Sequence, residues 1–118
     1  MKRGDIWIAR GFHFAHESDK QDKERPVLIL QNDEDNNAPS YPLVFIVPLT
    51  TQKLCRIYKQ DIFIPAYTCG LDTDSKLLFG MLRAIPKKIL IYKIGEIPKN
   101  IQEEINIKLL RMFGFLER

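Results

Sequence analysis

Cysteine and recognisable metal-binding motifs are scarce in this sequence. Only Cys55 and Cys69 occur in 118 residues, and no CxxC pair, HExxH motif or Asp/Glu cluster has the spacing of a metal site. His13 and His16 are separated by two residues and lie beside Glu17, which fits a solvated loop better than a metal centre. We therefore predict no metal, no cofactor and two free thiols in a reducing compartment.

Long apolar runs are absent as well. No stretch approaches the roughly 20 apolar residues that span a bilayer, and residues 1–5 lack the apolar core of a secretory signal. We expect a cytoplasmic protein without a membrane partner. No internal repeat or linker divides the chain, so we expect one domain over residues 1–118.

The charge balance is only mildly basic, with a net charge of +3 and 28% charged residues. Such a balance is compatible with a polyanionic partner without requiring one. The cations form two groups along the chain, and together these could line a groove for RNA or for an acidic, flexible partner. The first group is Lys53, Arg56 and Lys59; the second is Arg83, Lys87, Lys88 and Lys93.

Short β-prone segments fill the first two-thirds of the chain. Residues 5–9 and 61–65 alternate polar and apolar, whereas residues 26–31 and 42–49 are continuous apolar runs that suggest burial on both faces. Two more short strands are predicted at residues 76–79 and 81–85. Pro48 predicts an edge, a bulge or a strand end within its run. Segment 10–24 is long, polar and without a strand or helix pattern, which is typical of functional or disordered loops.

The C-terminal part changes to a helical period. Ile101, Ile105, Leu109 and Met112 fall on one stripe after Pro98, and Gly114 is a plausible stop. We predict a helix packed on the strands, and a second, short helix near residues 86–90. Five or six strands followed by a terminal helix suggest a small, strongly bent barrel.

Five segments, in order, resemble the motifs of MazF/PemK-type toxins. They are RGDIW at 3–7, RPVLILQND at 25–33, VPLTTQ at 47–52, GLDTDS at 70–75 and LRAI at 82–85. The similarity runs across nearly the whole chain. It implies a mainly β fold with helices, an SH3-like small barrel (CcdB/PemK-like) with a C-terminal α-helix, that forms a homodimer.

The same resemblance implies the function and the residues that carry it. The family contains toxins of type II toxin–antitoxin systems that cleave single-stranded RNA and are inhibited by a cognate antitoxin. The arginine of its RP motif and the threonine of its PLT motif, the family's catalytic residues, correspond to Arg25 and Thr50 here. We expect the antitoxin to be acidic and partly disordered.

Other positions are candidates for RNA contact or proton transfer. His16 and Glu17 resemble a His–Glu pair of one family branch and are candidates for the catalytic base or for substrate contact. The RNA-binding candidates are Thr51, Gln52, Lys53, Arg83, Phe12 and Phe14. The acidic residue and arginine that this branch uses before its last motif align with Gly80 and Leu78, and a usual glutamine aligns with Met81, so that acid/base arrangement does not carry over.

The residues themselves support a reaction without metal. RNA supplies its own nucleophile, the 2′-hydroxyl, and a guanidinium can stabilise the charge that builds on phosphorus. Arginine is a poor general base because its reference pKa lies above about 12, so we predict that Arg25 stabilises charge. The alternative is a non-catalytic binding module of the same fold, either a gyrase-inhibitor-like protein or a degenerate toxin that binds its antitoxin.

Overall fold

The computed structural model describes residues 1–11 and 23–117. The predictions at Phe12, Phe14, His16 and Glu17 lie outside the described residues. The described strands are β1 (Asp5–Arg10), β2 (Glu24–Ile29), β3 (Leu43–Thr50), β4 (Asp61–Ile64), β5 (Ser75–Leu78), β6 (Arg83–Pro86) and β7 (Leu90–Glu96), and the helices are α1 (Asp33–Asn36) and α2 (Lys99–Met112).

The strands form one antiparallel sheet in the order β4–β5–β3–β2–β1–β7, with β6 also paired to β3. The first half of β3 pairs with β6 and its last two residues pair with β5. Pro48 lies between these two stretches and is matched only by Val27 of β2. A proline, which has no N–H to donate, is therefore placed where one side of β3 changes partner. The prediction of an edge strand or a strand end at Pro48 was wrong, since β3 has strands on both sides and continues to Thr50.

Two apolar clusters occupy opposite faces of this sheet. One contains Leu28, Val47 and Leu49 together with Ile101 and Ile105 of α2. The predicted stripe of α2 is confirmed, since Leu109 and Met112 pack against the same cluster. The other cluster is built from residues that alternate with these along the strands, namely Ala9, Val27, Ile29, Val44, Ile46 and Ile85.

The predicted fold class is confirmed: a mainly β sheet of seven strands with a C-terminal helix, compatible with a small barrel-like fold. Within residues 1–11 and 23–117 no pairing joins β4 to β7, so the sheet is open at that seam. The six predicted strands are all present, with ends shifted by at most two residues.

The sequence patterns did not reveal β7 and α1. The register between β1 and β7 shifts twice, and most β7 side chains are exposed, so the strand has no clean alternation to detect. The short helix predicted near residues 86–90 is a single 3₁₀ turn, Lys87–Ile89, that leads directly into β7.

The short helix α1 begins at a side-chain cap. The Asn32 side chain accepts a hydrogen bond from the backbone N–H of Asp35 at 2.8 Å and so caps the first turn.

The opening RGDIW segment ties distant parts of the fold together. Arg3 donates from Nε to the Leu30 carbonyl at 2.8 Å and from a terminal nitrogen to the Asn106 side chain at 2.9 Å. The buried Asp5 carboxylate accepts from the Lys2 backbone N–H at 2.8 Å and lies 3.4 Å from the Lys93 ammonium. These contacts give the first motif a structural role.

Two further sequence properties can be read from the described part of the chain. Both cysteines are free thiols: Cys55 is exposed and Cys69 is buried. None of the helices in residues 1–11 and 23–117 has the length and apolar character needed to cross a membrane.

Candidate active site

Arg25 and Thr50 lie near the ends of two adjacent strands. The last matched pair of β2 and β3 is Val27 and Pro48, and Arg25 and Thr50 each lie two residues beyond it, where the same register, if continued, would place them opposite each other. On the outer sides of this pair, Arg25 is matched with Ala9 of β1 and Thr50 with Lys76 of β5. We call the row Ala9–Arg25–Thr50–Lys76 the site row.

The site row lies on the face of the sheet opposite α2. Successive residues of a strand point to opposite faces, so Arg25 shares its face with Val27, and Thr50 shares its face with Ile46. Both apolar residues belong to the cluster that does not include α2. The side chains of Arg25 and Thr50 therefore extend from the same face, at the end of this cluster.

Arg25 and Thr50 are both half-buried, so each combines a fixed strand position with access to solvent. The Thr50 hydroxyl oxygen accepts from the Gln52 backbone N–H at 3.2 Å. Because this bond uses the oxygen as an acceptor, the hydroxyl proton can still be donated to a ligand. Next to Arg25, Glu24 forms a 2.6 Å ion pair with Arg10 on the neighbouring strand.

Residues 51–60, which we call the β3–β4 loop, begin directly after Thr50. The candidate contacts Thr51, Gln52 and Lys53 are all exposed there, and Lys53 adopts a φ of 54° at the turn. Arg56 and Lys59 are exposed in the same loop. The first predicted cationic group thus lies beside the site row.

Two lysines of the second predicted cationic group, Lys87 and Lys93, are engaged by contacts within the fold. Lys87 donates to the backbone carbonyls of Asp35 and Ala38 at 2.6 and 3.0 Å, which fixes the end of α1. The Lys93 ammonium lies 2.8 Å from Glu96, and this hydrogen bond raises the pKa of Lys93. These two lysines were predicted from spacing alone, and their ammonium groups are instead occupied by structural contacts.

Arg83 is exposed on the same face as Arg25, but it is separated from the site row. It is matched with Ile46, four residues along β3 from Thr50. At about 3.3 Å per residue this is a separation of roughly 13 Å along the strand. Arg83 could contact an extended nucleic acid bound at the site row, and it is too distant to act on the same phosphate.

A buried ion pair supports the β3–β4 loop. Lys76 and Asp61, on β5 and β4, have their charged atoms 3.7 Å apart, and each side chain is only 5% exposed. The Lys76 ammonium also donates to the carbonyls of Lys53 at 3.1 Å and Arg56 at 2.7 Å. The Asp61 carboxylate accepts from the Tyr58 backbone N–H at 2.9 Å.

Comparison with known proteins defines the family. The profile of the PemK-like, MazF-like toxins of type II toxin–antitoxin systems matches residues 2–113. The chain belongs to this toxin family.

Individual MazF relatives match over nearly their full length. The probable endoribonuclease MazF of Mycolicibacterium smegmatis is 29% identical over 97% of both chains. The endoribonuclease EndoA of Bacillus subtilis is 27% identical over 90% of this chain and 88% of its own. The solved MazE–MazF structure from Deinococcus radiodurans is 19% identical, with a TM-score of 0.75 over 98% of this chain and 97% of that one, which shows a common fold.

The MazF-like motif GLDTDS is explained here by close packing. A side chain added at Gly70 would place its first carbon 2.1 Å from the Ile94 carbonyl oxygen of β7. Later in the motif, the Asp74 carboxylate accepts from the Ala66 backbone N–H at 2.9 Å, and the Ser75 hydroxyl donates to the Thr73 carbonyl at 3.2 Å. These contacts close the turn that leads into β5.

Positions 78, 80 and 81 provide no charged group near the site row. Leu78 and Met81 pack against the Val27 cluster, and Gly80 is exposed with open space where a side chain would lie. In residues 1–11 and 23–117 there is also no cluster of three or more His, Cys, Asp or Glu residues.

Sequence reasoning missed Lys76 and Asp61. Lys76 was assigned to a predicted strand, and its charge was not considered. The signal was present, because a lysine inside the run SKLLF breaks an otherwise apolar strand. A buried charge of this kind requires partners, which here are Asp61 and two carbonyls contributed by the preceding loop.

Proposed function

We propose that this chain is the toxin of a type II toxin–antitoxin system and a metal-independent endoribonuclease that cleaves single-stranded RNA with a short sequence preference. The observation that supports this most directly is the site row. It combines a guanidinium and a hydroxyl on adjacent rigid strands, beside an exposed loop with three cations. Membership of the MazF-like family and relatives named as endoribonucleases support the same reaction.

In the proposed reaction the RNA supplies the nucleophile. The 2′-oxygen forms a bond to the adjacent phosphorus while the bond from phosphorus to the 5′-oxygen of the next nucleotide breaks. A base takes the proton of the 2′-hydroxyl, and an acid returns one to the departing 5′-oxygen. The products are a 2′,3′-cyclic phosphate and a 5′-hydroxyl, so that neither water nor a redox partner is consumed.

Arg25 and Thr50 serve this reaction as charge stabilisers. The planar guanidinium of Arg25 can donate two hydrogen bonds to the phosphate oxygens, and the Thr50 hydroxyl can donate a third. Their strand positions fix these donors before the substrate binds, which favours the transition state. For the base that takes the 2′-hydroxyl proton we propose His16 or Glu17, outside the described residues.

The remaining candidates are proposed to hold the RNA on both sides of the cut. Thr51, Gln52 and Lys53 follow Thr50 directly, and Arg83 lies farther along the same face. Phe12 and Phe14 are proposed to stack on bases.

We further propose that the toxin is a cytoplasmic homodimer. An acidic, partly disordered antitoxin would inhibit it by covering the basic site. That such a toxin fold pairs with a second protein is supported by the MazE–MazF structure from Deinococcus radiodurans.

Cleavage of a mixed RNA pool in the presence of a chelator tests the proposal. We expect fragments with 2′,3′-cyclic phosphate and 5′-hydroxyl ends. Once the cut is mapped, an oligonucleotide with deoxyribose at that single position should resist cleavage, because it lacks the nucleophile. Fragments with 5′-phosphate ends, or cleavage of the deoxy-substituted strand, would contradict the mechanism.

A non-catalytic binding module is the second candidate. It is favoured by the uncharged residues at Leu78 and Gly80, which leave the described part of the site without an acid/base pair. The same experiment separates the two functions. A binding module would retain RNA or antitoxin on the protein and produce no new RNA ends.

A further inference from the structure

Lys76 occupies a position that none of the family motifs accounts for. It belongs to the site row, opposite Thr50 on one side and Phe63 on the other. It is nonetheless 4% exposed, so its ammonium is removed from solvent and cannot reach freely toward a bound phosphate. Its contacts point to a different role.

All three partners of the ammonium lie at or beyond the end of β3. Two are backbone carbonyls of the β3–β4 loop, from Lys53 and Arg56, and the third is Asp61, where β4 begins. The Asp61 carboxylate in turn accepts a hydrogen bond from the backbone N–H of Tyr58. A single buried cation thus connects three points of the loop to the sheet beside Thr50.

The loop is held on its other side as well. Lys108 of α2 donates to the Lys59 carbonyl at 2.6 Å. The main-chain N–H of Arg56 bonds the Lys53 carbonyl at 3.1 Å, and that of Asp61 bonds the Tyr58 carbonyl at 3.0 Å. Between these anchors, the cationic side chains and the 62%-exposed Tyr58 face solvent. The main chain of the loop is fixed while its polar and aromatic side chains are presented outward.

We propose that Lys76, together with Asp61, is a positioning residue that holds the β3–β4 loop in the conformation that receives the RNA strand leaving Thr50. A loop that is ordered in advance loses less conformational entropy on binding, so the pair increases affinity for RNA. The pair does not touch the reacting atoms, and it therefore acts on binding more than on the chemical step. This inference rests on the proposed function, since RNA is the ligand that the loop would receive.

Removing Lys76 alone would leave the Asp61 carboxylate buried without its counter-charge, which by itself destabilises a fold. The test variant is therefore Lys76→Met combined with Asp61→Asn. The asparagine oxygen can still accept from the Tyr58 N–H, and no lone charge is buried. Lys99→Met combined with Glu103→Gln, at two exposed positions of α2, is the matched control, because it likewise removes one charge of each sign.

The first readout is binding of the full-length protein to an RNA oligonucleotide made uncleavable by deoxyribose at the mapped cut. We expect the double variant to bind on the order of tenfold more weakly, the loss expected for removing hydrogen bonds to a charged group. The single-turnover cleavage rate at saturating RNA should stay within about twofold of the wild type, because the site donors are unchanged. The control variant on α2 should bind and cleave as the wild type does.

Amide hydrogen exchange gives a readout that needs no RNA. In the wild-type protein the amides of Arg56, Tyr58 and Asp61 should be protected, and in the double variant they should exchange at least about tenfold faster while β2 and β3 keep their protection. Fast exchange of these amides in the wild type would overturn the proposal, and this holds even if the double variant does not fold.

The two proposals fail in different ways. If RNA is bound but never cut, the endoribonuclease proposal fails, while loop protection and affinity still test Lys76. If the wild type cleaves RNA and the double variant has unchanged affinity, the positioning role of Lys76 is wrong. A large loss of the saturating rate at unchanged affinity would contradict it equally, since the pair would then act on the reacting centre.

Discussion

Arg25 and Thr50 each lie two residues beyond Val27 and Pro48, the last matched pair of β2 and β3, on the side of the sheet that α2 does not cover. On its other side Thr50 is matched with Lys76 of β5. If the β2–β3 register continues over these two residues, the Cβ atoms of Arg25 and Thr50 are about 5 Å apart, the spacing of directly opposite residues. Two donors at this spacing can bind different oxygens of one phosphate.

The first prediction concerns this shared phosphate. Arg25→Ala and Thr50→Val should each reduce the cleavage rate by roughly 10²- to 10³-fold, the usual loss when one transition-state donor is removed. The double variant should lose less than the product of the two single effects, because both donors serve one charge. Single-turnover rates of the four proteins measure this coupling.

Arg111→Ala is the matched control, since this exposed arginine lies on α2. It should cleave as the wild type does. Strictly multiplicative losses in the double variant would show that Arg25 and Thr50 act independently, and near-normal rates in both single variants would show that the site lies elsewhere.

The second prediction concerns the exposed cations of the β3–β4 loop. For single-stranded nucleic acid, each neutralised phosphate contributes about −0.7 to the slope of log affinity against log salt concentration. Lys53→Gln and Arg56→Gln should therefore each make that slope shallower by about 0.7 and weaken binding most at low salt. Filter binding of an uncleavable oligonucleotide over a salt series measures both effects.

Lys99→Gln removes the same charge from α2 and should leave the slope unchanged. Equal slopes for the wild type and for both loop variants would mean that the loop cations do not contact phosphate. The RNA path proposed along this loop would then be incorrect.

The strands near the site were predictable because their apolar patterns are strong. Residues 26–31 and 42–49 are continuous β-prone runs, and the structure places most of them in β2 and β3, where Leu43 and Phe45 are exposed and the later residues of each strand are largely buried. Once these two strands pair, the position of Arg25 relative to Thr50 follows from register. The pairing itself was inferred from the resemblance, since no local pattern indicates which strands are neighbours.

Other features depend on contacts that a single sequence does not reveal. The roles of Lys76 and Lys87 require backbone carbonyls from segments far away in the chain. The strand β7 has mostly exposed side chains and an irregular register, so its pairing with β1, and not its own periodicity, determines it.

The third prediction separates the two cysteines by reactivity. Cys55 is exposed, whereas Cys69 is buried and its burial raises the pKa of the thiol. A raised pKa lowers the thiolate fraction at neutral pH, and the thiolate is the reactive form. In the native protein we expect Cys55 to be labelled rapidly by a thiol reagent and Cys69 only after denaturation, as measured by peptide mapping.

Cys55→Ser supplies the control, because it should abolish the rapid phase and leave the slow one. Two rapid phases in the native protein would contradict the burial of Cys69. Absence of labelling before reduction would instead indicate a disulfide.

The fourth prediction tests whether close packing explains the glycine of the GLDTDS motif. Gly70 has a φ of +89°, and an added Cβ would lie 2.1 Å from the Ile94 carbonyl oxygen, while Gly114 has a φ of +80° and no atom within 4 Å of its added Cβ. Gly114→Ala should therefore cost only the conformational penalty of about 1 kcal/mol in the free energy of unfolding. Gly70→Ala must also displace the backbone of β7, and we expect a loss of about 3 kcal/mol or more. Denaturant unfolding of the two variants measures the difference. Equal losses would show that β7 does not approach Gly70 as closely as the structure places it, and the motif would then need an explanation other than packing.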